Sequence, residues 1–163
     1  MKTLYIARHA KSDWGQAGYT DFDRPLNDRG FIDAKAMARH LMLISVKVDA
    51  IISSSAMRAI TTAKFYADQI SAEGDLITKD EIYQADEQDM LEIINDVSND
   101  IDSLMLVGHN PTFSLLVELL TGKAVGMSAG SVIELSIDVN AWGDVGKGDG
   151  DFIKMTSPKD LRF

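Results

Sequence analysis

Short strand-like runs alternate with helix-period segments from Lys2 to Leu120, and this alternation limits the chain to an α/β layer architecture. Lys2 to Ala7 alternates and is rich in β-formers, which predicts a first strand. Residues 10–25 then form a long polar and aromatic loop carrying Gly15, Gly18 and Pro25. A helix is expected from about Asp28 to Ile44 with Asn27 as its N-cap, because Phe31, Ala34, Ala38, Leu41 and Met42 share one face at helical spacing. Val48 to Ile52 reads as a buried strand. The serines at 53–55 can cap a second helix over Ala56 to Ser71, with Ile60, Ala63, Ala67 and Ile70 on its inner face. A weak strand at Leu76 to Thr78, a loop at Glu81 to Asp86 and a helix at Glu87 to Asp96 follow. Leu104 to Val107 is a buried strand ending at Gly108, and Pro111 starts a helix that reaches Leu120.

The C-terminal third changes character. Ser131 to Val139 and Phe152 to Ser157 alternate as strands around a flexible loop from Asn140 to Asp151, the pattern of a long hairpin. The fold expected is a three-layer α/β sandwich with a mixed, mostly parallel sheet and helices on both faces. At 163 residues the chain can bury one core but is short for two, so residues 1–163 are read as a single domain.

Composition removes several function classes. There are no cysteines, which excludes disulfides, thiolate metal sites and cysteine nucleophiles. The three histidines and the acidic residues show no ordered metal-ligand spacing, and no metal or cofactor is expected. The Gly- and Asp-rich stretch from Asp144 to Asp151 fits neither a calcium loop nor a P-loop. A net charge of −9 disfavours nucleic acid and anionic membrane as partners. The apolar run before Arg8 is too short for a signal peptide and no stretch approaches a membrane span, so a cytoplasmic protein is expected. An anionic substrate remains compatible with this charge if basic residues gather in one cleft.

Three segments depart from the plain structural pattern, and each follows a predicted strand. They are Arg8-His9-Ala10, the segment Ser53 to Ala63 containing Arg58, and Gly108-His109-Asn110-Pro111. In open α/β sheets ligands collect outside the carboxyl ends of the strands. The residue types suit phosphoryl transfer, which needs oxygens clamped by cations and a nucleophile in line. Arg8 and Arg58 offer planar forks matched to phosphate oxygens. His109 can donate further hydrogen bonds, and the helix beginning near Ala56 adds backbone N–H groups. His9 is the good nucleophile of the set, since an ordinary imidazole pKa of ~6.5 leaves it neutral at cellular pH. Arg24, in Asp23-Arg24-Pro25-Leu26, can add a second basic group from the loop. Arg24 and Arg29 are equally open to substrate contact or a structural ion pair. Lys11 is expected to face solvent near the mouth, and His40 to be a packing residue.

Together these motifs resemble the histidine phosphatase superfamily, which includes the cofactor-dependent phosphoglycerate mutases. The short length, Arg24-Pro25-Leu26 followed by Gly30, and Ser54 ahead of Arg58 are similar to its small phosphohistidine-phosphatase branch, the SixA type. The resemblance implies that His9 is phosphorylated and that Arg8, Arg58 and His109 bind the phosphoryl group. It also implies a general acid from the loop after the third strand, where Glu81 matches best and Asp86 and Glu87 are rivals. Two positions depart from the family. Ala10 replaces the usual glycine, placing a methyl near the pocket floor, and Gly15 replaces an asparagine of the mutase-like members, removing a phosphate ligand.

The expected function is metal-independent hydrolysis through a phosphohistidine enzyme intermediate, with phosphohistidine on a protein as the substrate. A small phosphomonoester is the alternative substrate, and a catalytically idle phosphate-binding or interaction module the non-enzymatic alternative. The short loops after His9 and between Glu81 and Glu87 leave little material for a lid, which suits a protein-borne group. An imidazole leaving group also needs less help from a positioned acid than an alkoxide does. A monomer or weak dimer is expected.

Overall fold

Residues 1–15, 17–71 and 76–162 are described in a computed structural model, built around a sheet of six strands in the order β3-β2-β4-β1-β5-β6. The strands are β1 (Lys2–Arg8), β2 (Ala50–Ser54), β3 (Leu76–Lys79), β4 (Ser103–Gly108), β5 (Val132–Ile137) and β6 (Gly150–Thr156). β1, β2, β3 and β4 run parallel, while β5 and β6 are antiparallel additions on the β1 side. The helices are α1 (Asp28–Leu43), α2 (Met57–Ile70), α3 (Glu87–Asn95) and α4 (Thr112–Thr121). Among the described residues no helix is long and apolar enough to cross a membrane.

Side chains of successive strand residues point to opposite faces, and the two cores follow from that alternation. Leu4, Ile6, Leu104 and Leu106 meet α3 and α4 through Met90, Ile94, Phe113 and Leu116. Tyr5, Ala7, Met105 and Val107 meet α1 and α2 through Met37, Leu41, Ala63 and Tyr66. Strands buried on both faces read as nearly unbroken apolar runs, which is why β4 was legible as Leu104 to Val107.

Several boundaries and faces differ from expectation. In α1, Asn27 caps as predicted, accepting from Gly30 N–H at 2.7 Å. Phe31 and Met42 are exposed, however, and Asp33 and Met37 are buried in their place. Asp33 is carried inward because it takes Arg29 and Arg162 as partners. β2 begins two residues later than predicted. No serine side chain caps α2; Ala56 occupies that position, and α2 packs through Ala59 and Tyr66 while Ile60 and Ala67 are half-buried. Residues Asp80–Gln84 form a short 3-10 helix rather than a loop.

β5 and β6 form the expected hairpin, but the loop between them is anchored rather than flexible. Trp142 within it is fully buried and donates its indole N–H to the Ile101 carbonyl at 2.6 Å. Asn95, at the end of α3, donates to the carbonyls of Trp142 and Val145.

Candidate active site

Register brings the two histidines together. β1 pairs with β4 so that Arg8 lies beside Gly108, and the His9 N–H continues the ladder by donating to the Gly108 carbonyl at 3.0 Å. His9 and His109 therefore leave the carboxyl ends of adjacent strands with ring centroids 5.3 Å apart. Gly108 is needed there, because a Cβ would come within 2.5 Å of the Phe113 ring that seals the first turn of α4.

The ring of His9 is buried and oriented by its own backbone. Nδ1 sits 2.7 Å from the Ala10 carbonyl, an acceptor, so Nδ1 carries the proton and Nε2 is left as a lone pair. That backbone is pinned in turn. Ala10 N–H donates to Thr62 Oγ1, and the His9 carbonyl accepts from Gly130 N–H. The Ala10 methyl joins Leu26 and Ala34 in a small apolar cluster beneath the site, so it lies in the core rather than on the pocket floor.

Arg58 faces His9 from the first turn of α2. Its Nε is 3.4 Å from His9 Nε2, while the far end of the guanidinium donates to the Asp21 carbonyl at 2.7 Å and to its carboxylate at 3.2 Å. Asp21 gathers three partners, because Arg24 and the Tyr83 hydroxyl also reach its carboxylate. Phe22 beside it stacks edge-on against Tyr83 and accepts the Met57 N–H through its carbonyl. One of the helix N–H groups expected to face a phosphoryl oxygen is thus taken by the loop. Arg24 is buried, with Trp14 stacked 4.2 Å from its guanidinium carbon.

On the opposite wall Arg8 donates to the Met127 carbonyl at 2.8 Å, leaving its buried Nε without a partner among the described residues. His109 Nε2 lies 2.8 Å from Ser54 Oγ, and its Nδ1 is likewise buried and unpartnered there. Such buried polar atoms call for a ligand or water to satisfy them.

The electrostatics favour neutral imidazoles among fixed cations. His9 is pushed down to about 3, chiefly because burial penalises its charged form; His109, Arg58 and Arg8 add to this, and the Ala10 hydrogen bond opposes it. His109 falls to about 4, again through burial first and Arg58 next. Asp21 is held below the usual carboxylate range by the Tyr83 hydrogen bond and the neighbouring arginines, against the opposing effect of burial. Among the described residues no three His, Asp or Glu side chains cluster as a metal site would need. The arrangement can hold an anionic tetrahedral group between Arg8, Arg58 and His109 with Nε2 of His9 facing it.

The sequence profile of the histidine phosphatase superfamily (branch 1) matches residues 4–83. An uncharacterised protein of Mycobacterium tuberculosis is 34% identical over 113 residues, 69% of this chain and 68% of that one. A protein from Agrobacterium tumefaciens assigned as the phosphohistidine phosphatase SixA superposes with a TM-score of 0.80 at 27% identity, covering 96% of this chain and 98% of that one. The chain belongs to the histidine phosphatase superfamily. The fold is also that of the protein histidine phosphatase SixA complexed with tungstate, at a TM-score of 0.84 and 21% identity over 98% and 99% of the two chains.

Within this histidine phosphatase chain, His9, Arg8, Arg58 and His109 come together, and Arg24 joins them through Asp21. Glu81 does not join that network of contacts. It is exposed in the short 3-10 helix, and its ion-pair partner is Lys79 at 3.8 Å. Asp86 caps α3, exchanging hydrogen bonds with Asp89, and Glu87 lies in the first turn of that helix. Three contributors escaped the sequence reading. Asp21 lies in a polar loop without a motif, Tyr83 stands two residues from Glu81, and Ser54 reads from the sequence as a helix cap rather than as a partner of His109. The only signal for Asp21 was its place three residues before Arg24, a spacing common in turns.

Proposed function

We infer that the protein removes a phosphoryl group from phosphohistidine on another protein, through a phosphohistidine intermediate at His9 and without a metal ion. The observation that carries this reading is the Nδ1 contact of His9 to the Ala10 carbonyl at 2.7 Å, which leaves Nε2 as a lone pair facing Arg58.

In the first step Nε2 attacks phosphorus, the new N–P bond forms and the substrate's N–P bond breaks. Arg8, Arg58 and the Nδ1–H of His109 take the three equatorial oxygens, supplying the charge compensation that a divalent cation gives elsewhere. The bond from Nδ1 to Ala10 steadies the positive charge that builds on the His9 ring. The substrate's ring is protonated on its other nitrogen, a group with an ordinary pKa of ~6.5, so it departs as neutral imidazole with that proton in place and needs none from the enzyme. Water then attacks phospho-His9, the N–P bond breaks, and the proton lost by water leaves with inorganic phosphate.

Asp21 is better placed than Glu81 to supply a proton. A dianionic phosphoryl group arriving at Arg58 takes over part of that cation's field, and the Asp21 carboxyl rises toward protonation. Similarity to the Agrobacterium protein assigned as a phosphohistidine phosphatase, over nearly its full length, supports phosphohistidine as the substrate.

The test is phosphate release from a phosphohistidine peptide and from phenyl phosphate, with chelator present, for the wild type and His9→Ala. The reading expects faster release from the peptide and none from the variant. Preference for phenyl phosphate would move the substrate to small phosphomonoesters, and turnover surviving in His9→Ala would overturn the mechanism.

A further inference from the structure

A second cationic cleft lies against the phosphoryl site. It encloses about 370 Å³ and is lined by Lys11, Arg29, Lys159 and Arg162, with Asp33 as its acidic member. Asp33 is 5% exposed and serves both arginines. Arg29 donates to it at 2.9 Å through Nε, and Arg162 reaches both carboxylate oxygens at 2.8 Å. One buried carboxylate thus fixes two guanidinium groups whose side chains remain 44% and 47% exposed. Lys11 and Lys159 are exposed and have no acidic partner within ion-pair distance among the described residues.

The cleft and the phosphoryl site share a wall. Met127 holds Arg8 through its carbonyl, while Ser128 and Ala129, the next two residues, line the cleft. Gly130 N–H donates to the His9 carbonyl at 2.8 Å. Lys11 is two residues from His9, so their Cα atoms lie within roughly 7 Å. The four basic residues of the cleft and the three arginines near His9 are seven of the chain's 16 Lys and Arg, in a protein of net charge −9. The cleft lining itself carries four basic residues and one carboxylate, Asp33, against the overall sign of the chain.

We propose that this cleft is a specificity subsite that binds an acidic side chain of the substrate protein next to its phosphorylated residue. The proposal rests on the phosphoprotein reading above. Arginine forks held in place by a buried carboxylate are pre-organised for a second carboxylate, and the two exposed lysines, with no ion-pair partner among the described residues, add positive charge. An overall acidic protein repels an acidic partner except where its local field is positive, so the cleft also selects the orientation in which a partner approaches His9.

The experiment compares two phosphohistidine peptides that differ only in glutamate or glutamine at the flanking positions, with wild type and Lys11→Ala/Lys159→Ala. The ratio of kcat/KM values within each protein is read, so any change in overall turnover cancels. The proposal expects a ratio of about 10 for the wild type at low ionic strength, falling toward one in the double variant and in high salt. A wild-type ratio near one, or a ratio retained in the double variant, overturns it. A fluorescent, unphosphorylated glutamate peptide supplies a readout independent of turnover. If neither phosphopeptide is hydrolysed the phosphoprotein reading fails, yet binding of this probe to wild type and its loss in the double variant would still support an acidic-peptide site. Equal binding to both proteins would remove it.

Discussion

His109 Nε2 lies 2.8 Å from the Ser54 hydroxyl, which also accepts the Ala56 N–H at 3.2 Å. The Ser54 hydroxyl can donate its proton to Nε2, and in that tautomer the ring carries its own proton on Nδ1, the buried nitrogen without a partner among the described residues. Ser54→Ala is expected to lower kcat about 10-fold and stability by about 1 kcal/mol, the worth of one buried hydrogen bond. Nitrogen NMR of His109 should then report a mixture of tautomers in place of one. Unchanged kcat with an unchanged tautomer would show that the hydroxyl does not orient the ring.

Asp21 competes with the substrate for Arg58. Its carboxylate and carbonyl already occupy the guanidinium, and its negative charge repels an incoming phosphoryl group. Asp21→Asn should therefore tighten binding of orthovanadate by about 10-fold while lowering kcat on phenyl phosphate, whose leaving group needs a proton. Inhibition constants and kcat for the pair measure both effects. Weaker vanadate binding in the variant would mean that Asp21 holds Arg58 in place rather than contesting it. Glu81→Gln, out on the 3-10 helix beside Lys79, should change kcat less than threefold.

The depressed pKa of His9 has a defined sign. An unfolded chain takes up a proton at His9 near ~6.5, whereas the folded protein resists until about 3. Below the unfolded value the unfolded state binds more protons, so stability is full above pH 6.5 and is lost as pH falls toward the folded value. The slope is at most ~1.4 kcal/mol per pH unit for this residue, and His109, at about 4, adds in the same direction. His9→Gln should flatten the fall of Tm between pH 6.5 and pH 4. A His9 ring resonance that titrates near its ordinary value in the wild type would contradict this burial account.

Gly30 controls the backbone after the nucleophile. A Cβ at this position would lie 2.0 Å from the Lys11 carbonyl oxygen, which accepts the Asn27 N–H just before α1. Gly30→Ala must push α1 away from residues 9–11 and should cost ~1–3 kcal/mol. It should also lower turnover, since Ala10 and Lys11 move with their carbonyls. A Tm within 1 °C or so of wild type would show that the helix shifts freely.

The layer order and the strand ends were readable because parallel strands buried on both faces leave long apolar runs such as Leu104 to Val107. The positions of His9 and His109 were readable for the same reason, each standing directly after such a run, while Arg58 lies in the first turn of the helix that follows β2. Asp21 and Tyr83 were not. They meet across 62 residues of sequence, and their partnership depends on how the loop at 20–24 folds back on α2, which no local spacing encodes. Phe31 and Met42 were misread because helical periodicity finds a face but not its centre, and the buried Asp33 with its two arginines turned that face by part of a turn. Trp142 anchored a loop whose glycines and aspartates suggested freedom, through one tertiary hydrogen bond and a buried indole.

The central claim is that phosphorus becomes bonded to Nε2 of His9 during turnover. The direct measurement is rapid quench in alkali during hydrolysis of a phosphohistidine peptide with chelator present, followed by mass spectrometry of the peptide that contains Arg8 to Lys11. The account predicts a phosphoryl adduct on His9 that appears before free phosphate, decays as phosphate is released and is absent in His9→Ala. Release of phosphate from the wild type with no adduct on His9 at any time point, or with the adduct on His109, would contradict it.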